Sequence, residues 1–173
     1  MKYLILSASL NPKSKSRELG YYAKSIFDQK NENSKMLDLR DLELPFSGSP
    51  NCYDNENSKL LANEIKKTDW VLICSPIYNY DLNSVIKNVL DLTGFCWENK
   101  IVGFICVGGG RSSYMSPISF MNSLMLNCRS FIIPRYVYST GSDFNEEKLK
   151  NPELENRIKD LVDSAISITS KLS

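Results

Sequence analysis

The sequence predicts a three-layer α/β sandwich, with helices covering both faces of a five-stranded parallel sheet. Uninterrupted apolar runs at residues 70–74 and 101–107 are typical of strands buried on both faces. Five strand-like segments alternate with five helix-like segments, which indicates a doubly wound parallel sheet. At 173 residues the chain is too short for the six-stranded form with a separate substrate domain. We therefore expect strand order 2-1-3-4-5 and one domain over residues 1–173.

Each strand is predicted from an apolar run and from the residues that interrupt it. Alternating apolar and polar residues at 35–42 suit a strand near the sheet edge. Pro76 has no N–H for the sheet, so we expect the third strand to end there and a loop to follow. Pro134 should mark a bend or an edge in the last strand. The predicted strands are residues 2–9, 35–42, 70–74, 101–107 and 130–138.

Each helix is predicted from apolar residues that recur at spacings of three and four. Asn151 followed by Pro152 is a typical helix start, with asparagine as the cap and proline at the first helical position. Residues 43–57 are rich in proline, glycine, serine and asparagine and form the longest irregular stretch. The predicted helices are residues 19–27, 58–68, 83–95, 117–127 and 152–168.

Composition excludes several classes of function. Lysine and arginine number 21 against 20 acidic residues, so the net charge of +1 gives no electrostatic support for nucleic-acid binding. No apolar run approaches the roughly 20 residues of a membrane span, and the chain enters a strand at once rather than a signal peptide. We therefore expect no membrane partner. Histidine is absent, which excludes serine–histidine and cysteine–histidine catalysis and most zinc sites, so we expect no metal.

The five cysteines are scattered along the chain, with no Cys-x-x-Cys motif. Cys74 and Cys106 fall inside apolar runs, where a cysteine behaves as a small hydrophobic residue. This usage favours a reducing, cytoplasmic setting over a disulfide framework.

Three predicted loops should meet at the carboxyl edge of the sheet, where such folds bind ligands. The first loop offers hydroxyl, amide and guanidinium groups where a helix begins, a position that suits phosphate. Its alternative is a capped, solvated turn. It lacks both Gly-x-x-x-x-Gly-Lys-Ser/Thr and Gly-x-Gly-x-x-Gly, so neither a nucleotide triphosphatase nor a dinucleotide fingerprint is indicated. The polar residues of this loop are Ser9, Asn11, Ser14, Ser16 and Arg17.

The second and third loops suit a flat ring. Residues 75–80 can present backbone amides, the Asn79 side chain and two tyrosine rings, although a surface turn holding two tyrosines is the alternative. Gly108–Gly110 have no side chains, so backbone can approach a ligand closely there. Arg111, which follows them, is either a ligand contact or an exposed charge.

Two stretches carry a resemblance to a known family. Ser75-Pro76-Ile77-Tyr78-Asn79, followed by Asn83-Ser84-x-x-Lys87-Asn88-x-x-Asp91, resembles the second signature of the NADPH-dependent FMN reductase family, Pro-Glu-Tyr-Asn-x-Ser and then Leu-Lys-Asn-x-x-Asp-Trp. Residues 7–17 are similar to its first signature, Gly-Ser-Leu-Arg-x-x-Ser-x-Ser/Asn.

The resemblance implies a flavodoxin-like fold and non-covalently bound FMN. It implies hydride transfer from NADPH or NADH to FMN and onward to a flavin, a quinone or a similar small-molecule acceptor. Cofactors carry such chemistry, so no acid-base catalytic residue is expected. By position, the phosphate residues would be Ser9, Asn11, Ser14 and Ser16, with Arg17 as a helper. The ring residues would be Pro76, Ile77, Tyr78 and Asn79, with Gly109, Gly110 and Arg111 from the third loop.

The chain also departs from the family pattern. Asn11 stands where the family has arginine, and Ile77 where it has glutamate. Leu92-Thr93 replaces the usual aspartate–tryptophan neighbourhood. Relative to the family, residues 80–82 form an extra insertion before Asn83 that is bulky and acidic. We therefore expect Tyr78 and Asn79 to govern flavin binding, and residues 80–82 to shape access of the second substrate.

Two other functions stay open at this point. One is an electron carrier like flavodoxin, although such carriers are usually strongly acidic and this chain is at +1. The other is a non-enzymatic flavin-binding module. The resemblance also implies a homodimer or homotetramer, and we expect Phe95, Trp97 and residues 115–125 to place large apolar side chains near the carboxyl edge.

Overall fold

The computed structural model describes residues 2–146 and 148–172. The five principal helices are α1 (Lys15–Gln29), α2 (Glu56–Lys66), α3 (Ser84–Thr93), α4 (Ile118–Cys128) and α5 (Pro152–Leu172). The strands are β1 (Tyr3–Ser7), β2 (Ser34–Asp38), β3 (Trp70–Tyr78), β4 (Asp81–Leu82), β5 (Ile101–Gly108), β6 (Phe131–Ile132), β7 (Val137–Thr140), β8 (Phe144–Asn145) and β9 (Lys148–Leu149).

The main sheet confirms the predicted strand order. Its central path is β2-β1-β3-β5, all parallel, and β6 and β7 both pair with the outer edge of β5. These two short strands are the halves of the predicted fifth strand, separated by a segment that contains Pro134. Proline cannot donate to the sheet, so a break at an edge strand is where it is tolerated.

Two apolar clusters cover the two faces of the sheet, as a doubly wound fold requires. One contains Leu4 and Leu6 of β1 together with residues of α2, α3 and α4. The other contains Tyr3 of β1, residues of α1 and the inward stripe of α5. There the rings of Tyr3 and Phe27 stack with centroids 4.6 Å apart, and Trp70 packs beside them.

The prediction that the third strand ends at Pro76 is wrong, because β3 continues to Tyr78. Pro76 lies opposite Val107 of β5. On its other side β1 has already ended, with Ser7 opposite Cys74, so no neighbouring strand needs an N–H from this position. The predicted loop is therefore a hairpin, formed by the end of β3 and the short antiparallel β4.

Two further expectations need correction. The second strand ends at Asp38 and gives way to a short 3-10 helix, Leu39–Asp41, so it is shorter than residues 35–42. Trp97 is fully buried, and its indole N–H donates to Thr93 Oγ1 at 2.7 Å. Phe95 is exposed, but it lies just before β5 begins and hence at the amino edge of the sheet.

Across the described ranges, no helix combines the length and the apolar character needed to cross a membrane.

Candidate functional site

The first loop lies between β1 and α1, and its serines are turned inward. Ser14 caps α1, because its Oγ accepts a hydrogen bond from Arg17 N at 3.2 Å. The Ser14 and Ser16 hydroxyls share a hydrogen bond of 3.0 Å, and Ser9 Oγ accepts from Asn11 N at 3.3 Å. All three serines are buried. The first N–H groups of α1 have no helical acceptor and carry its positive dipole end, so this loop suits an anion.

Arg17 is a buried brace beneath this loop. Its guanidinium forms an ion pair with Asp38 at the end of β2, at 2.6 Å from Nε to Oδ2. The remaining N–H groups reach a second Asp38 oxygen and the backbone carbonyls of Ser9, Asn11 and Pro12, at 2.7 to 3.4 Å. All five N–H donors of the side chain are thereby engaged within the protein.

The second loop is the β3–β4 hairpin, whose tip is the pair Asn79-Tyr80. Both residues have left-handed backbone, with φ of 50° and 63°. Positive φ at both central positions matches the two-residue turn that suits twisted hairpins. Asparagine tolerates this conformation, whereas a bulky tyrosine there is a genuine outlier. The turn is therefore strained at Tyr80.

Asn83 joins the first two loops. Its Nδ2 donates to the carbonyl of Ala8 at 2.7 Å, while its Oδ1 accepts from Ile86 N at 3.3 Å and so caps α3. The residue is buried. The start of α3 is thereby fixed against the chain that leaves β1, which sets the spacing between the anion loop and the hairpin.

In the third loop, neighbouring glycines have different tasks. A Cβ on Gly108 would lie 2.0 Å from Tyr138 Oη, so glycine is required there by packing. The Tyr138 hydroxyl is itself held by Ser113 Oγ at 2.6 Å and by the Gly110 carbonyl. A Cβ on Gly109 or Gly110 would meet nothing within 4 Å. These two positions border open space, in which another molecule can lie against the backbone.

The hairpin and the third loop enclose a cleft of about 300 Å³, which we call the ring cleft. It brings together four of the residues predicted for the ring, Ile77, Asn79, Gly109 and Gly110. It also contains Tyr80, which was expected to shape access of the second substrate, and two serines that the sequence did not single out. Tyr80 Oη lies 3.4 Å from Ser112 Oγ across it. The lining residues are Ile77, Asn79, Tyr80, Gly109, Gly110, Ser112 and Ser113.

Three predicted ring residues lie elsewhere. Pro76 is within β3, one residue before the ring cleft. Tyr78 borders a cavity of about 510 Å³ on the other side of the hairpin, which Asn79 also lines. Arg111 lines a cavity of about 330 Å³ beside α5, together with Asp143. Burial would raise the pKa of Asp143, but hydrogen bonds from Thr140 N, Asn151 and Ser139 and the charge of Arg111 hold it below its usual value.

The buried thiols near the site are chemically inert. Desolvation raises the pKa of both Cys74 and Cys106 far above the usual range, so each stays protonated. All five cysteines are free. Within the described ranges, no three histidine, cysteine, aspartate or glutamate side chains are grouped to hold a metal ion.

The residues present fit FMN. The buried serine hydroxyls and the α1 terminus form a donor set for phosphate. The ring cleft has room beside Gly109 and Gly110 for a flat ring, against backbone that carries no side chain. The fold is that of the flavodoxin-like proteins, a class of doubly wound sheets that bind ligands at the carboxyl edge.

Comparison with known proteins identifies the family. The family model for NADPH-dependent FMN reductase matches residues 1–145, and the chain belongs to that family. It is therefore an oxidoreductase that works with FMN and a reduced nicotinamide.

Two curated relatives agree with this assignment, and a solved structure agrees with the fold. The NAD(P)H-dependent FAD/FMN reductase of Geobacillus thermodenitrificans (strain NG80-2) is 27% identical over 130 residues, which is 73% of this chain and 70% of the relative. The NADPH azoreductase of Bacillus sp. (strain OY1-2) is 24% identical over 151 residues, covering 86% and 82%. The flavoenzyme FerB of Paracoccus denitrificans, an NAD(P)H:(acceptor) oxidoreductase, superposes with a TM-score of 0.80 at 17% identity over 98% of this chain and 97% of that one.

Proposed function

We propose that the three loops bind FMN with its phosphate at the first loop and its ring in the ring cleft. The protein would then pass hydride from NADPH or NADH through FMN to a flavin, a quinone or a similar acceptor. One observation carries this proposal: a buried serine cluster at the start of α1 lies at the same sheet edge as a cleft that is open beside two glycines.

When bound, FMN supplies hydride transfer between a reduced nicotinamide and an acceptor, which requires no acid-base residue of the protein. The residues of this chain would bind the cofactor and orient it. Ser9, Ser14 and Ser16 would donate to phosphate, together with the free N–H groups of α1. Ile77 and Asn79 would contact the ring from the hairpin, and Gly109 and Gly110 from the third loop.

The charge of the phosphate has to be met by residues other than the predicted helper Arg17. Its five donors are already engaged, so we propose that Arg17 shapes the loop and does not contact the phosphate. Lys15 leans toward Phe144, with its ammonium 5.3 Å from the ring centroid. Lys13 and the amide of Asn11 are the exposed groups of the loop that we assign to the phosphate.

Titration of the purified apoprotein tests this assignment. We expect FMN to bind at least about 100-fold more tightly than riboflavin, because charge-assisted hydrogen bonds to phosphate contribute roughly 1.5–3 kcal/mol each. Equal affinities would contradict the phosphate site. Steady oxidation of NADPH or NADH by the FMN-loaded protein would separate a reductase from an electron carrier and from a non-catalytic flavin-binding module.

We also propose a homodimer, or a homotetramer built from it, and a reducing cytoplasmic setting. The exposed apolar side chains of Ile118, Met125 and Leu126 on α4 support association, and the free cysteines support the setting. In sedimentation, Leu126→Glu should shift the protein toward monomer, whereas Leu60→Glu on α2 should not. A wild-type monomer at micromolar concentration with full FMN occupancy would contradict the dimer.

The proposed domain organisation is one domain over residues 1–173. Leu154 and Ile158 of α5 support it, because they pack into the same core as Tyr3 and Trp70.

A further inference from the structure

We propose that the ring of Tyr80 forms a wall of the acceptor subsite, which favours small flat acceptors such as two-ring quinones over extended ones such as azo dyes. This inference rests on the proposed function, because the wall matters only if FMN occupies the ring cleft. It assigns a specificity-determining role to a residue at the tip of the hairpin, at a position where the family signature specifies no residue type.

The backbone is the first observation. Tyr80 has φ of 63° and follows Asn79, which has φ of 50°. A non-glycine residue in this region is disfavoured and persists only where the surroundings impose it. Strain of this kind concentrates at functional sites. A smaller residue would form the same turn more easily, so packing of the turn does not explain a tyrosine here.

The second observation is that the turn is braced on the side away from the ring cleft. The Asp81 carboxylate accepts a hydrogen bond from its neighbour Leu82 N at 2.7 Å and from Ser119 Oγ at 2.8 Å. Ser119 belongs to α4, so the hairpin is tied to a helix of the main fold. The backbone that carries Tyr80 is therefore held against the main fold independently of the tyrosine hydroxyl.

The third observation is the position of the ring. Tyr80 lines the ring cleft, yet its side chain is 67% exposed. Its hydroxyl is 3.4 Å from Ser112 Oγ, beyond the normal range for a hydrogen bond between hydroxyls, so this contact is weak. The phenol thus borders the entrance between the second and third loops, and most of its surface is accessible to an acceptor.

The volume of the ring cleft limits which acceptors can bind. At about 300 Å³ the ring cleft is at the lower limit for ligand pockets, so one planar group largely fills it. A second planar molecule must then lie at the entrance, against Tyr80. A compact ring system can stack on the phenol, and aromatic pairs add a measurable affinity. A long acceptor extends past the ring and collides with it.

Tyr80→Gly is the decisive variant, because glycine suits the left-handed turn and the protein should stay folded. We would measure kcat and KM for a two-ring naphthoquinone and for an azo dye, the FMN dissociation constant, and calorimetric binding of redox-inert 2-naphthol to the FMN-loaded protein. The kcat/KM ratio of naphthoquinone to azo dye should fall about tenfold through KM, and 2-naphthol binding should weaken by a similar factor. FMN affinity should stay within about threefold of the wild type, as expected for a residue that does not hold the cofactor.

Two variants serve as matched controls. Tyr80→Phe keeps the ring and loses only the weak hydroxyl contact, so its acceptor ratio should stay within about twofold of the wild type. Tyr53→Gly removes a similarly exposed tyrosine, 60% accessible, from the loop between β2 and α2, and should leave the ratio unchanged.

The outcomes separate the wall from the proposed function. A wild-type protein that binds no FMN would overturn the proposed function and the wall with it. A wild-type protein that binds FMN and turns over, with an unchanged acceptor ratio in Tyr80→Gly, would overturn the wall alone. The wall is also overturned if Tyr80→Phe changes the ratio as much as Tyr80→Gly, or if FMN affinity collapses in Tyr80→Gly.

Discussion

The first loop and the β3–β4 hairpin lie at the same sheet edge but differ in how they are held. In the first loop the serines are buried and a buried arginine, 5% exposed, uses every donor it has to fix the chain. At the hairpin tip Tyr80 is 67% exposed, strained in its backbone and in only weak side-chain contact. The first loop is held by internal hydrogen bonds, whereas the hairpin tip presents an exposed aromatic ring.

This difference matches the two groups that the loops are proposed to bind, the phosphate of the cofactor and the acceptor. A phosphate has fixed geometry and charge, and preorganised donors bind it without further ordering. An acceptor varies in shape, and an exposed ring can discriminate by contact and by collision. In this protein, we infer, the first loop serves the cofactor phosphate, and Tyr80 at the hairpin tip serves the choice of acceptor.

The largest effect is expected when Arg17, which holds the first loop in place, is replaced. Arg17→Met removes the main partner of Asp38 and leaves only the exposed guanidinium of Arg40, 3.6 Å away. Removing one member of a buried ion pair lowers stability by about 3–5 kcal/mol. Denaturant unfolding measures this loss. Lys24→Met, which removes an exposed pair with Asp28, is the matched control and should cost no more than about 0.5 kcal/mol. A loss in Arg17→Met as small as in the control would mean that the loop does not depend on its brace.

The second largest effect should come from charge at the anion site. Ser16→Glu places a carboxylate where the phosphate is proposed to lie, and FMN affinity should fall at least about 100-fold. Riboflavin, which has no phosphate, should bind nearly as well as to the wild type and so reports that the ring cleft is still folded. Fluorescence titration gives both constants. Parallel loss of FMN and riboflavin would mean that the substitution damages the fold and not the phosphate contact.

The sequence predicted the general architecture because the relevant signals are local. Apolar runs define β3 and β5, and an asparagine followed by a proline starts α5 at Pro152. The strand order then follows from chain length and the rules of crossover connections. The predicted convergence of Ile77, Asn79, Gly109 and Gly110 in one cleft follows from that order.

What the sequence did not reveal depends on partners distant along the chain. The sequence did not reveal the ion pair of Arg17, because its partner Asp38 is 21 residues away and comes close only when β2 pairs with β1. The hairpin was missed because Asn79-Tyr80 lacks the glycine that usually marks such a turn. Pro76 suggested a strand end, since the sequence does not show that β1 stops short of it.

Two neighbouring glycines of the third loop should differ in role, since Gly108 serves the packing of the fold and Gly109 is proposed to contact the ligand. Gly108→Ala would place Cβ 2.0 Å from Tyr138 Oη, and relief of that clash should lower stability by about 1–3 kcal/mol. Gly109→Ala meets nothing within 4 Å, so stability should change by less than about 0.5 kcal/mol while FMN affinity falls. Thermal unfolding and flavin titration of both variants separate the two roles. A Gly109→Ala protein with wild-type FMN affinity would remove this position from the ring site.

The smallest effect should be at the hairpin tip, where the structure stores strain. Tyr80→Asn keeps a polar side chain but suits the left-handed conformation, with φ of 63° in the native turn, so relief of strain should leave stability unchanged or raise it by up to about 1 kcal/mol. Thermal unfolding of the apoprotein measures this, away from any effect of FMN. Asn79→Val is the opposite control, because a β-branched residue is poorly accommodated at positive φ and should lower the melting temperature. A clear loss of stability in Tyr80→Asn would show that the tyrosine ring supports the fold. The proposed difference between the first loop and the hairpin tip would then be wrong.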